Sequence, residues 1–318
     1  MRALELKGRV GYWLRQLTPD TNEGTIGGVL NTMVDLGKGN ALCLKVMDGS
    51  TWQGAIDPSL PVNSIDDVIA IREQCHARDI GFLPVVVPRG ASPIEDGKIH
   101  GAIAKSVGTL ITDLEPYDGY WDKTNTSRIP EYTRVLRETS DDAYLINQPD
   151  PRSYGLTGAR VYETAPHFDA FCSQHYVGWA STDWVDVDQE YYSVLQLATL
   201  NKDMYVTLYG LERIDLALAF WDRVQPIVQG ACIFAFGPMN AGQLLTFGAM
   251  SRPAPSPEPL DAPVPGVDCR NIIDGLTLAR TGLRDLQGIV QEQFERTIGA
   301  IGLQIAGIDA IFKKEGIE

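Results

Sequence analysis

The chain has 318 residues, 44% hydrophobic and 21% charged, the balance of a globular protein long enough for one full barrel with an appendage or for two ordinary domains. A formal net charge of −14 sets it against nucleic-acid phosphates and anionic membrane surfaces as partners. No uncharged apolar run reaches the ~18 residues that a membrane span needs.

The amino-terminal MRALELKGRVGYW lacks the apolar core of a signal peptide. The expectation is a protein made in the cytoplasm that leaves its cell, if it acts outside, by a route other than a cleaved leader. The five cysteines, Cys43, Cys75, Cys172, Cys232 and Cys269, are odd in number, contain no CxxC and sit mostly in apolar runs. That predicts buried free thiols rather than a disulfide framework.

Apolar runs suited to buried strands recur at Val10–Leu14, Ala41–Met47, Gly81–Val87, Thr109–Thr112, Ala143–Asn147, Ala170–Tyr176, Met204–Leu208 and Ala231–Phe236. Helical patterns lie between and after them, at Thr25–Lys38, Ser64–Arg78, from Ser92-Pro93 onward, and at Ile129–Glu138, Gly155–Glu163, Val187–Leu200, Glu212–Val228 and Ala241–Ala249. Ser92-Pro93 with Glu95 and Asp96 is a strong helix start: a capping hydroxyl, proline in the first turn, then acids facing the dipole. Eight strand–helix alternations in about 250 residues predict an α/β fold, a (β/α)8 TIM barrel over residues 1–250. An open doubly wound sheet is the competing architecture, but the glycine-rich phosphate loop that often accompanies it is not evident.

Residues 251–267 then read as a linker, since Ser251–Gly266 holds six prolines in sixteen residues. Over 268–318 an apolar stripe runs Ile272, Leu276, Ala279, Leu283, Leu286, Val290, Phe294, Ile298, Ile301, Ile305, Ile308 and Phe312, a heptad-like spacing with one stutter. A carboxy-terminal helix of about 40 residues, roughly 60 Å at 1.5 Å per residue, would carry it. Its uncharged half must be buried, either against a partner copy or along its own barrel. Self-association through 268–318 into a homo-oligomer is the expectation.

Catalytic groups of such barrels sit at the carboxyl ends of the strands. There the sequence offers Arg15, then Lys45 and Asp48 with the turn aromatic Trp52, then Arg89, Asp113 with Glu115, Asn147-Gln148-Pro149-Asp150, Gln174 with Tyr176, and Tyr209. Residues two apart on a strand point the same way, so Asp113 and Glu115 project side by side. Two carboxyls held close perturb each other's pKa, the raw material of acid–base chemistry on a glycosidic bond. Tyr117, Tyr120 and Trp121 follow and can offer flat faces to a sugar ring. His175 alternates away from Gln174 and Tyr176. The four histidines miss metal-ligand spacing, and Asp183, Asp186 and Asp188 read as a solvated helix start rather than a calcium loop. No GxSxG, Walker or GxGxxG pattern occurs. Chemistry without a metal or organic cofactor is expected.

Asp113-Leu114-Glu115 after an apolar fourth strand resembles the DxE motif of glycoside hydrolase family 25, the lysozyme-type barrels. LCLKVMDGSTWQG resembles that family's second strand and turn, and SQHYVGW its sixth-strand segment. The resemblance covers about residues 8–180 and departs at the first strand, where the family expects aspartate and this chain has Arg15. It implies Glu115 as proton donor and Asp113 as its pKa modulator or as the stabiliser of a positive intermediate. Tyr176 would hydrogen-bond that intermediate or an N-acetyl group. Lys45, Arg89 and Gln174 would orient substrate, and Trp52, Tyr117 and Trp121 would line subsites. The implied partner is a polysaccharide, and barrel, spacer and assembly helix together suit a phage- or virion-associated lytic protein acting on cell wall. Two alternatives stand beside it. Asp113 and Glu115 can instead pair with Lys45, Arg15 or Arg89 in a structural ion network. The barrel can also be a catalytically inactive structural or carbohydrate-binding subunit of an assembly.

Overall fold

The computed structural model describes residues 6–15, 17, 24–36, 40–177, 179, 187–236 and 238–250. The expected linker at 251–267 and helix at 268–318 lie outside the described residues.

Eight strands, β1 (Val10–Leu14), β2 (Asn40–Asp48), β3 (Gly81–Val87), β4 (Thr109–Thr112), β5 (Tyr144–Asn147), β6 (Ala170–His175), β7 (Asp203–Tyr209) and β8 (Gly230–Phe234), pair in parallel with their chain neighbours. Pairing of β1 with both β2 and β8 closes the ring, so the fold is a (β/α)8 TIM barrel. Around it run α1 (Ile26–Asp35), α2 (Ile65–His76), α3 (Pro93–Val107), α4 (Ile129–Ser140), α5 (Ser153–Gly158), α6 (Val187–Ala198), α7 (Ile214–Val224) and α8 (Ala241–Gly248).

The helices start where capping chemistry permits. Thr25 Oγ1 accepts from Gly28 N at 3.0 Å, Ser64 Oγ from Asp67 N at 3.2 Å, and Asn240 and Gln243 form a reciprocal box. The fifth unit differs from expectation. The single helix over Gly155–Glu163 is broken at Arg160, in the left-handed region at φ 51°, and resumes as the short turn Val161–Thr164. After β2 the chain adds a two-residue antiparallel strand, Thr51–Trp52, and a turn of helix, Gln53–Ile56, neither apparent in the pattern.

Strand alternation sorts the core into two layers. Tyr12, Leu14, Leu42, Leu44, Phe82, Val86, Leu110, Phe171 and Val206 face the helices, while Trp13, Cys43, Leu83, Val85, Ile111, Ile146, Cys172, Tyr205 and Cys232 fill the barrel. Inside, Cys43 Sγ lies 3.4 Å from Cys232 Sγ, and a side chain on Gly11 would bring a carbon within 2.8 Å of both sulfurs. Cys43, Cys75, Cys172 and Cys232 are buried free thiols, and Cys269 lies outside the described residues. Among the described residues no helix is long and apolar enough to cross a membrane.

One irregularity matters for the site. Between Lys45 and Met47 the register of β2 on β3 slips, so that Lys45 pairs with Val85 but Met47 with Val86. Val46 and Met47 both pack outward, and alternation restarts with Asp48 turned inward.

Candidate active site

A cavity of about 440 Å³ opens at the carboxyl ends of the strands. Its walls include Trp13, Arg15, Lys45, Asp48, Arg89 and the acidic pair Asp113 and Glu115.

The pair follows from β4. Ile111 fills the barrel, so Asp113 and Glu115, two and four residues on, project into its mouth. Gln174, inward-facing on β6, clamps both: its Nε2 donates to Asp113 Oδ1 at 3.0 Å and to Glu115 Oε1 at 2.6 Å. Asp113 is buried, at 7% exposure, and Glu115 is half-buried. Burial first, then the charge and hydrogen bond of Glu115, hold Asp113 well above the usual carboxylate range. Burial also raises Glu115, with the Gln174 hydrogen bond opposing and the charge of Asp150 reinforcing. Both shifts favour the protonated carboxyl, the form an acid needs.

The other acids are differently placed. Asp48 accepts from Lys45 Nζ at 2.6 Å and from Arg89 Nη2 at 2.7 Å. Burial pushes it up, but those bonds and charges outweigh burial and hold it below its ordinary value. Asp150 accepts from Arg152 at 2.6 Å and from the Tyr117 hydroxyl. Lys45 and Arg89 thus take Asp48 as their partner, and the acidic pair of β4 is not locked into the ion network that was the alternative expectation.

Aromatic rings form two walls. Tyr176 sits half-buried with its ring 5.4 Å from Phe234 and 5.8 Å from Trp179, and Trp179 stacks on Tyr209 at 5.4 Å and 23°. Burial, then the charges of Asp113 and Glu115, raise the Tyr176 hydroxyl, which stays protonated. Opposite, the Arg89 guanidinium lies 5.6 Å over the Tyr120 ring, and that of Arg152 lies 4.9 Å over Tyr154, whose own ring is exposed.

Of the residues singled out in the sequence, Asp113, Glu115, Tyr176, Lys45, Asp48, Arg89 and Gln174 meet at this cavity. Four aromatics are placed elsewhere. Trp121 is fully buried, its Nε1 donating to Asn125 O and its ring packed on Tyr132 and beneath Gly90, so it offers no face to a sugar. Trp52 packs against the outer core. Tyr117 is tied to Asp150, and Tyr209 stands behind Trp179; neither lines the cavity. Unanticipated wall residues are Trp13, Trp179, Arg152 and Phe234. Trp13 and Phe234 were within reach of the alternation rule, since each sits two residues beyond an inward Gly11 or Cys232.

His175 points outward, as alternation requires. Its ring shares hydrogen bonds of 2.7 Å with Ser173 and with Glu190 of α6, all three buried. Shut between sheet and helix, this trio anchors α6 and cannot meet a substrate. His100, pushed down to about 4 by burial, is neutral and ties α3 to the turn at Gly49. Asp188 of the suspected acidic loop pairs with Arg223. Asp183 and Asp186 lie outside the described residues. Among the described residues no cluster of His, Cys, Asp or Glu has the geometry to hold a metal ion.

No family model and no curated protein matches the sequence. Solved structures do resemble the fold. A glycoside hydrolase family 18 N-acetylglucosaminidase from Paenibacillus barengoltzii aligns at TM-score 0.52 and 10% identity over 77% of this chain and 99% of its own. A mannohexaose complex of a β-mannanase from Thermomonospora fusca aligns at 0.52 and 8% over 77% and 88%. An endo-β-1,4-mannanase double mutant from Cellulomonas fimi aligns at 0.52 and 12% over 77% and 71%. At such identities the likeness is one of fold, to barrels that serve glycoside hydrolases.

Proposed function

We propose that this barrel hydrolyses a polysaccharide of N-acetylated amino sugars, with Glu115 as the acid and the substrate's own acetamido group as the nucleophile. The observation that carries this reading is the single Gln174 amide that donates to both Asp113 and Glu115 and so holds the two carboxyls side by side. Two-carboxylate mechanisms need their acids about 5–5.5 Å apart for a covalent intermediate, or about 6.5–9.5 Å apart to admit a water. A pair bonded to one amide nitrogen stands too close to admit a water between its members. It suits the substrate-assisted route, in which one carboxyl protonates and its neighbour supports the acetamido group.

On this reading Glu115 delivers its proton to the glycosidic oxygen as the bond to the anomeric carbon breaks. The acetamido oxygen closes on that carbon. Asp113, left anionic, steadies the N–H and the positive charge that develops there. The Tyr176 hydroxyl donates to the acetamido oxygen. Glu115 then takes a proton from the water that opens the cyclic intermediate. No acid is required from the first strand, which accommodates Arg15 where a family 25-like site would have aspartate.

The test is cleavage of chitin-type oligomers and peptidoglycan, read by mass spectrometry of released ends, with Glu115→Gln beside the wild type. Cleavage that survives E115Q, or none by the wild type on either polymer, overturns the reading. A cell-wall target, a virion setting and self-association through 268–318 belong to the same proposal. The last is checked by comparing the mass in solution of the full chain with that of a chain ending at Met250, expected to be a monomer.

A further inference from the structure

Every charged side chain lining the cavity has a partner among the described residues except Arg15. Asp48 takes Lys45 and Arg89, Asp150 takes Arg152, and Asp113 with Glu115 share the Gln174 amide. Arg15 follows β1, its side chain is exposed at the cavity wall, and it meets no carboxylate there. Four cations face four acids in the lining, and burial, which favours the protonated forms of Asp113 and Glu115, tips that balance toward an excess of positive charge. That excess stands inside a chain whose net charge is −14. A guanidinium at a concave site is a fork matched to an oxyanion, and the low-dielectric walls of a cleft strengthen its field. Its place is also defined. Tyr120 lines the same cavity, and after burial its hydroxyl feels the charges of Asp113 and Glu115 first and then those of Arg15 and Arg89. Whatever Arg15 holds is therefore close to the bond that the acid pair addresses.

We propose that the sugar bound in this cavity carries a carboxylate substituent and that Arg15 is the residue that receives it. This rests on the glycosidase reading and narrows its substrate class from neutral to acidic amino-sugar polymers. One cation uncommitted among the described residues matches a monoanion; a doubly charged phosphate monoester would remain half uncompensated. Lys45 and Arg89 are poor alternatives as receivers, because an incoming anion would have to displace Asp48 from both. The departure at the first strand thereby becomes a specificity element: an acid there would repel the group that Arg15 accepts.

The experiment is calorimetric titration of the full-length E115Q chain, which binds without turnover, with three probes of equal length. These are a chitin tetrasaccharide, its O-carboxymethyl derivative and the methyl ester of that derivative. The expected result is about tenfold tighter binding of the carboxymethyl compound than of the other two. Arg15→Met brings the acid-to-ester ratio close to one, and Arg15→Lys, which keeps the charge but not the fork, retains part of it. Thermal melting of the variants confirms that this exposed position leaves the fold intact. Equal binding of acid and ester by the parent chain, or a preference that survives R15M, overturns the proposal while leaving the glycosidase reading standing. Failure of all three probes to bind overturns both.

Discussion

Asp48 and Arg89 join the ends of β2 and β3, with Asp48 Oδ2 accepting from Arg89 Nη2 at 2.7 Å while Lys45 Nζ reaches the same oxygen at 2.6 Å. Replacing Asp48 by Asn leaves two cations at the cavity without their anion, and the fold should lose about 1–3 kcal/mol at pH 7. Asp48 titrates lower in the fold than in the unfolded chain. Its contribution is therefore complete above the unfolded value of about 3.9 and is lost as pH falls through the lower folded value. Denaturant titrations at pH 7 and pH 3 should show the gap between wild type and D48N closing at the acid end.

Glu115→Gln keeps shape and hydrogen bonding but cannot give up a proton. The expected loss is in kcat, about 10²–10⁴-fold, with KM changed little, because the group acts in the transition state. Steady-state kinetics on the best oligomer decide it, and a rise in KM with kcat intact would assign Glu115 to binding alone.

Gln174→Met removes the amide that favours the ionised form of Glu115. Without it the acid is held more tightly, so the alkaline limb of the pH–rate profile should move to higher pH while the maximum falls. A limb that stays in place would show that Gln174 does not tune the acid.

Asp113→Asn should stabilise the protein at neutral pH. The Asp113 carboxyl is raised in the fold by burial and by Glu115, so the native state holds its proton more tightly than the unfolded chain does. Stability is then highest below the unfolded pKa and falls as pH rises through the folded one. Asparagine removes that penalty, and the melting temperature at pH 7 should rise by about 2–4 °C for each kcal/mol relieved. At pH 4 the two proteins should melt nearly together, and kcat should fall in the variant, separating stability from function.

The barrel was legible in the sequence because a parallel strand buried on both faces leaves an unbroken apolar run. Val10–Leu14, Gly81–Val87 and Thr109–Thr112 stand in the structure with the bounds their sequence predicts. Asp113, Glu115, Gln174 and Tyr176 were legible for a related reason, since alternation from Ile111 and Cys172 fixes their side of the sheet. The loop aromatics were not. Nothing periodic governs a ring beyond a strand end, and Trp121 turns inward because Gly90, at φ +75°, leaves it room: a side chain there would lie 2.6 Å from the indole. Arg160 is similar, its left-handed backbone breaking a helix that the pattern reads as continuous.

The irregular pairing at Val46 places one corner of the cavity under the control of strand pairing rather than residue type. Were β2 to alternate strictly from Lys45 with no bulge, Asp48 would turn toward the helices and Met47 toward the cavity. Lys45 and Arg89 would both be released, and the pocket would gain two uncommitted cations without any acid having been mutated. A change of strand pairing at this point is thus a route by which such a barrel can change the charge it prefers in a ligand while its helices and its acid pair stay where they are.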